Sequence, residues 1–423
     1  MTIDVLKYRM LFGYLFSKKN EGREEKMKMR KLLAVTLLLA FVLVMTAGCG
    51  GTDANKTETK PAATDAAEVI LGANFELSGA VAVYGQTKMN GVEIAIDEIN
   101  KAGGILGKQV KLIKYDNKGD DAEALSLTTR LMTEDKIVTM LGPVTSGRVM
   151  VAVPVSEQFK IPLVTGTGTA AAITVADGKV NQYAFRICYT DEYQGKLAGK
   201  FAATSLGGKT AAMLVNQNDD YSIGLSEAFK TTFEENGGKV IEQVSFTNDD
   251  VNFNTALTKI IATNPDVLYV PAYYEQDALI AKQARELGYT KPIIGGDGWD
   301  SADYLLQTAG AAALQEVYFV NHYFSGDAEP AVKAFVDAYT AKYNETPSSF
   351  SALGYDTAMF VKDAIERAGS LDPVAIRDAM AATKEFKGIT GNLAMGENHD
   401  PIKSAVIISF DADGKPILKE KLQ

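Results

Sequence analysis

The sequence predicts an α/β fold in two lobes, each a parallel sheet flanked by helices, and three features carry that expectation. Short β-branched runs alternate with amphipathic stretches from residue 68 onward. The strand-like runs are apolar throughout, as strands covered on both faces are, rather than alternating. The alternating part spans about 355 residues, more than one hydrophobic core ordinarily supports.

In chain order, residues 27–48 open with the basic Met27-Lys28-Met29-Arg30-Lys31 and continue with an apolar run, 32–45, broken only by Thr36. Small residues follow, ahead of Cys49. That order reads as an export signal, and the run is shorter than the roughly 20 residues that span a bilayer. Residues 1–26 are charged and irregular, precede a second initiator at Met27, and read as a mis-called start. Thr46-Ala47-Gly48-Cys49 resembles the lipobox of bacterial lipoproteins, with Thr46 where Leu is usual; the resemblance implies cleavage before Cys49 and a lipid on its sulfur. Residues 49–67 are small and polar with almost no large apolar side chain, so they read as a lipidated, flexible tether.

The first strand is expected at 69–73. A helix follows at 87–102, with Met89, Val92, Ile96 and Ile99 on one stripe, then a strand at 109–115, a helix at 121–135 and a strand at 137–141. After a break near 188–193, strands at 209–215, 239–246, 266–270 and 292–294 build a second set. Two long helical patterns, 330–343 and 350–368, come without a full new sheet and read as a return to the first lobe. A last strand at 405–410, with Gly414 as its turn, suits either lobe. The division expected is 68–190 with 322–395 for the first lobe and 191–321 with 396–423 for the second. Several crossings between lobes make a stiff hinge.

Composition excludes several functions. The chain has two cysteines; with Cys49 committed to lipid, Cys188 has no partner, so stability must come from the core, and Cys188 reads as a buried small hydrophobe. Beyond residue 48 the net charge is −15, which argues against nucleic acid. His322 and His399 have no second ligand at metal spacing, so no metal site is expected. Neither a Gly-x-Ser-x-Gly nor a P-loop is present, no cofactor is called for, and the chain reads as a non-enzyme.

The remaining signal is polar residues just past strand ends, where open α/β sheets bind ligands. Gly142-Pro143-Val144-Thr145-Ser146-Gly147 and Thr165-Gly166-Thr167-Gly168-Thr169 each follow a strand, and donors at a strand-to-helix turn suit a carboxylate. In the second set, Asp191, Tyr221, Tyr273-Tyr274 and the glycine-flanked Asp297 offer a carboxylate for an ammonium and aromatics for an apolar pocket. Taken singly, each is more often a turn, a cap or sheet packing.

Phe75-Glu76-Leu77-Ser78-Gly79, Tyr84-Gly85, Gly103-Gly104-Ile105, Tyr115-Asp116, the 142–146 loop, Asp220-Tyr221-Ser222-Ile223-Gly224 and Gly354-Tyr355-Asp356 together resemble the type I periplasmic binding proteins for branched-chain amino acids. The resemblance covers 68 to about 415 and implies a Venus-flytrap fold. It implies that Ser146, Thr169 and the Gly168 backbone hold a ligand carboxylate and part of its ammonium. Asp297, with Asp191 in support, would pair the ammonium; the family commonly has Glu at the first of these. Tyr221 with Tyr273 or Tyr274 would close from the second lobe, and Tyr84 and Trp299 would border the ligand side chain. The function implied is an extracytoplasmic, lipid-anchored, monomeric solute-binding protein that delivers a small aliphatic amino acid to the permease of an ABC transporter. A ligand-sensing receptor module and a carrier of an amide or urea-like solute are the rival readings.

Overall fold

The computed structural model describes residues 68–422. The export signal, Cys49 and the tether lie outside the described residues. No described helix is long and apolar enough to cross a membrane.

Two sheets organise the chain. The first has five parallel strands in the order Val110–Asp116, Val69–Phe75, Thr139–Leu141, Leu163–Thr165, Ala184–Arg186. The second has seven, in the order Pro416–Leu422, Ala405–Phe410, Val317–Asn321, Ile293–Gly295, Val267–Tyr269, Thr210–Asn216, Lys239–Phe246; the first two run antiparallel at one edge. Consecutive residues of a strand feed opposite faces. Met140 and Leu141 enter different apolar clusters, as do Val267 and Leu268, and each cluster lies under a helical layer. This two-sided burial is why the strands read as unbroken apolar runs.

The helix expected at 87–102 is Ala82–Lys101, which brings Tyr84 and Gly85 onto its first turn. It packs against Ser349–Ala368 at backbone contact. A Cβ on Gly91 would stand 1.9 Å from the Ser351 carbonyl oxygen, and one on Gly354 would stand 2.2 Å from that of Lys88, so only glycine permits this approach. The late helices Pro330–Tyr343 and Ser349–Ala368 thus join the first lobe. Residues 396–402, expected in the second lobe, also pack on the first. The His399 ring stacks on Phe185 with centroids 4.1 Å apart, and Asp400 sits 2.6 Å from Arg186 Nε. The chain passes between sheets three times, within 186–191, 321–330 and 402–405.

The strand Ala405–Phe410 settles in the second sheet, beside Val317–Asn321. The outermost strand, Pro416–Leu422, was not expected. Its exposure alternates, with Lys419 and Lys421 outward, the charged edge that keeps a sheet from pairing with another chain.

Candidate functional site

Every candidate side chain stands just beyond the carboxyl end of a strand, and the two sheets bring these ends together around one cavity. From the first lobe come Tyr84, Val144, Thr145, Ser146, Thr167 and Phe350; from the second come Tyr221, Tyr273, Asp297 and Gly298. The lobes are closed over the cavity. The Tyr84 hydroxyl of the first lobe donates to the Gly298 carbonyl and accepts from the Tyr274 amide at 2.9 Å, both in the second.

One end of the cavity is rich in donors. The helix Ser146–Phe159 begins there, and the amides of its first turn have no intrahelical partner. Its N-cap residue, Thr145, does not cap it. The Thr145 hydroxyl donates instead to Glu76 at 2.7 Å, and the Val144 and Thr145 amides donate to the same carboxylate at 3.0 and 2.9 Å. Ser146 Oγ accepts from the Thr169 and Ala170 amides, both at 3.1 Å, so its own proton is left to point elsewhere. The neighbouring loop is braced from behind by Arg186, which is fully buried and donates to the carbonyls of Gly168 and Ala170 at 3.1 and 2.8 Å.

The other end is acidic. Asp297 Oδ1 accepts from Tyr221 Oη at 2.9 Å and Gln194 Nε2 at 3.1 Å, and Oδ2 lies 3.0 Å from His322 Nε2. Burial pushes the imidazole down to about 4, so at neutral pH it is uncharged and Nε2–H donates to the carboxylate. The ring stacks on Tyr189, with centroids 3.8 Å apart. Asp191 opens the helix Asp191–Thr204, capped by Thr190 accepting from the Tyr193 amide at 3.2 Å, and both its carboxylate oxygens are buried without a partner. Burial holds its pKa well above the carboxylate range. The nearby Thr169 hydroxyl pulls the other way, but that hydroxyl too completes no well-formed hydrogen bond. A buried carboxylate and hydroxyl left unpaired together are what a cationic donor would satisfy.

A family model described as "Periplasmic binding protein" matches residues 68–415. The chain belongs to the periplasmic binding protein family. A Leu/Ile/Val-binding protein of Rhizobium johnstonii is 34% identical over 340 residues, 79% of this chain and 89% of that one. A leucine-, isoleucine-, valine-, threonine- and alanine-binding protein of Pseudomonas aeruginosa is 30% identical over 325 residues, 77% and 84% of the two chains. The branched-chain amino acid transporter substrate-binding protein LivJ of Streptococcus pneumoniae, solved with isoleucine, superposes with a TM-score of 0.78 at 34% identity, covering 84% of this chain and 99% of that one. These relatives are binding proteins by name, and a periplasmic binding protein works outside the cytoplasm.

In this periplasmic binding protein the sequence expectations meet the cavity unevenly. Tyr84, Ser146, Tyr221, Tyr273 and Asp297 line it, and Thr169 and Asp191 lie buried together beside Ser146 and Asp297. Gly168 does not offer its backbone: the amide donates to Thr165 Oγ1 at 2.9 Å, and the carbonyl accepts from Arg186 and Cys188. Trp299 is fully buried, and its indole N–H donates to the Val270 carbonyl at 2.8 Å, so it packs the second lobe and does not border the cavity. The Tyr274 side chain packs edge-on against Tyr84 and Tyr304; only its amide serves the closure. Phe350, which stacks on Tyr84 at 4.1 Å, takes the bordering role expected of Trp299. Phe350, His322 and Gln194 were not singled out for the ligand: each lies far in sequence from the residues it touches.

Proposed function

We propose that this protein is the solute-binding component of an ABC importer and captures a small aliphatic amino acid between its lobes for delivery to the permease. The observation that carries the reading is the polarity of one closed cavity. Donors around Ser146 face one end and the Asp297 carboxylate faces the other, with Asp191 buried without a partner beside them. A zwitterion satisfies both ends at once, and closure around it strengthens each contact by excluding water. The aromatic border of Tyr84, Tyr273 and Phe350 suits an apolar side chain. The names of the relatives support the same ligand class. In this reading the chain catalyses nothing, works as a monomer, and is held at the membrane by a lipid on Cys49.

A thermal-shift screen of residues 68–423 against the amino acids tests it. Leucine, isoleucine or valine at a hundred times its dissociation constant is expected to add about 2.7 kcal/mol of stability. A shift with amides or urea-like solutes and none with amino acids would favour the rival carrier reading.

A further inference from the structure

The end of the cavity assigned above to the ligand carboxylate has no cation in its lining. One lies directly behind it. Lys88 is fully buried on the helix Ala82–Lys101, its Nζ donating to Thr167 Oγ1 at 3.0 Å and to the Pro143 carbonyl at 3.4 Å, and resting 4.8 Å from the centre of the Phe75 ring. Thr167 in turn lines the cavity and donates to the Val144 carbonyl at 2.7 Å. The ammonium therefore touches both loops that carry the donors, 142–146 and 165–169. Its countercharge is Glu76, also fully buried, whose carboxylate is spent on the amides of Val144 and Thr145 and the Thr145 hydroxyl.

A buried lysine is costly and rare. Packing alone would be served by methionine, and two hydroxyl or carbonyl contacts do not require a charge. Closing the lobes on a zwitterion, by contrast, buries a carboxylate in a space lined only by neutral donors and by the acid Asp297. A positive charge one residue behind that space offsets the cost in a low dielectric. Burial lowers the lysine to about 8, against the pull of Glu76, which leaves it charged at neutral pH.

We propose that Lys88 is a positioning residue of this site: its ammonium orders the two donor loops from behind and supplies the charge that makes the site prefer a carboxylate over a neutral group. The proposal rests on the amino-acid reading above. It is tested by titration calorimetry of the wild-type chain and of Lys88→Met, a near-isosteric neutral replacement, with L-leucine and with L-leucinamide, which keeps the ammonium and side chain and lacks the carboxylate. Lys88→Met is expected to weaken leucine roughly tenfold to a hundredfold and to leave leucinamide nearly unchanged, collapsing the preference between them. A defect that is merely structural would lower both ligands together, and that result, or an unchanged preference, overturns the proposal. Should Lys88→Met fail to fold, the double variant Glu76→Gln with Lys88→Met removes the buried charges as a pair and carries the same comparison. A wild type that binds no amino acid overturns the ligand reading and this one with it. A wild type that binds leucine, beside a variant that keeps the preference, overturns this one alone.

Discussion

Replacing Asp297 with Asn removes one charge and almost no volume, which makes it the sharpest single perturbation of the acidic end. The asparagine oxygen can still accept from Tyr221 and Gln194, as Oδ1 does now. Its NH2 then faces His322 Nε2, which must give up its proton; Nδ1, buried and without a partner, has to carry it. A buried unpaired donor costs about 1–3 kcal/mol, but it does so with and without ligand and cancels from the affinity. The ligand ammonium loses its charged partner, and truncating one member of a buried charge pair costs about 2–5 kcal/mol. Leucine affinity is therefore expected to fall by about thirtyfold to several thousandfold in titration calorimetry. The unliganded variant is expected to melt within a few degrees of wild type, since a cost of about 1–3 kcal/mol at His322 moves the midpoint of a domain of this size only that far. A folded Asp297→Asn that binds leucine within about threefold of wild type, a difference of ~0.7 kcal/mol, would refute the assignment of the ammonium to this residue.

Three further outcomes follow from the same geometry. Ser146→Ala removes one hydroxyl donor and the acceptor of two loop amides, so leucine binding is expected to weaken by roughly 1.5–3 kcal/mol, less than for Asp297→Ala; calorimetry of the two variants checks the ranking. His322 is held down to about 4 against an ordinary 6.5, so the unfolded chain binds the extra proton first, and its neutral burial stabilises the fold above pH 6.5. That contribution, up to about 3 kcal/mol, is lost as pH falls from 6.5 towards 4, and His322→Gln is expected to flatten that part of the stability profile in denaturant unfolding. Cys49→Ser is expected to move the full-length protein from the membrane fraction to the soluble fraction, or to leave it unprocessed; membrane retention of the variant at wild-type level counts against the lipid anchor.

The fold was legible because its strands are buried on both faces, and that leaves a direct trace in composition. The late helices Pro330–Tyr343 and Ser349–Ala368 left a different trace, the absence of a sheet to go with them. The edge strand Pro416–Leu422 left no such trace: three of its seven residues are charged and its pairing is decided by the neighbouring strand. At the cavity, the loops 142–146 and 165–169 announced themselves by position after a strand. Which atoms of those loops are free did not, because Arg186 and Cys188 take up the Gly168 carbonyl from residues 18 and 20 positions away. His322 was weighed only as a metal ligand. Its real neighbour, Asp297, is 25 residues distant and meets it only when two adjacent parallel strands align. The family resemblance implied Trp299 as a pocket wall, but its N–H donates to the Val270 carbonyl.

The central claim is that one closed cavity holds a zwitterion by opposite poles, and it is tested most directly by titrating the wild-type protein with leucine and with its two single-charge relatives. Leucinamide lacks the carboxylate, and 4-methylpentanoate lacks the ammonium. Leucine is expected to bind tightly and each relative at least about a hundredfold more weakly, because each leaves one buried pole unpaired, a loss of roughly 3 kcal/mol. Binding of either relative as tight as that of leucine would contradict the claim.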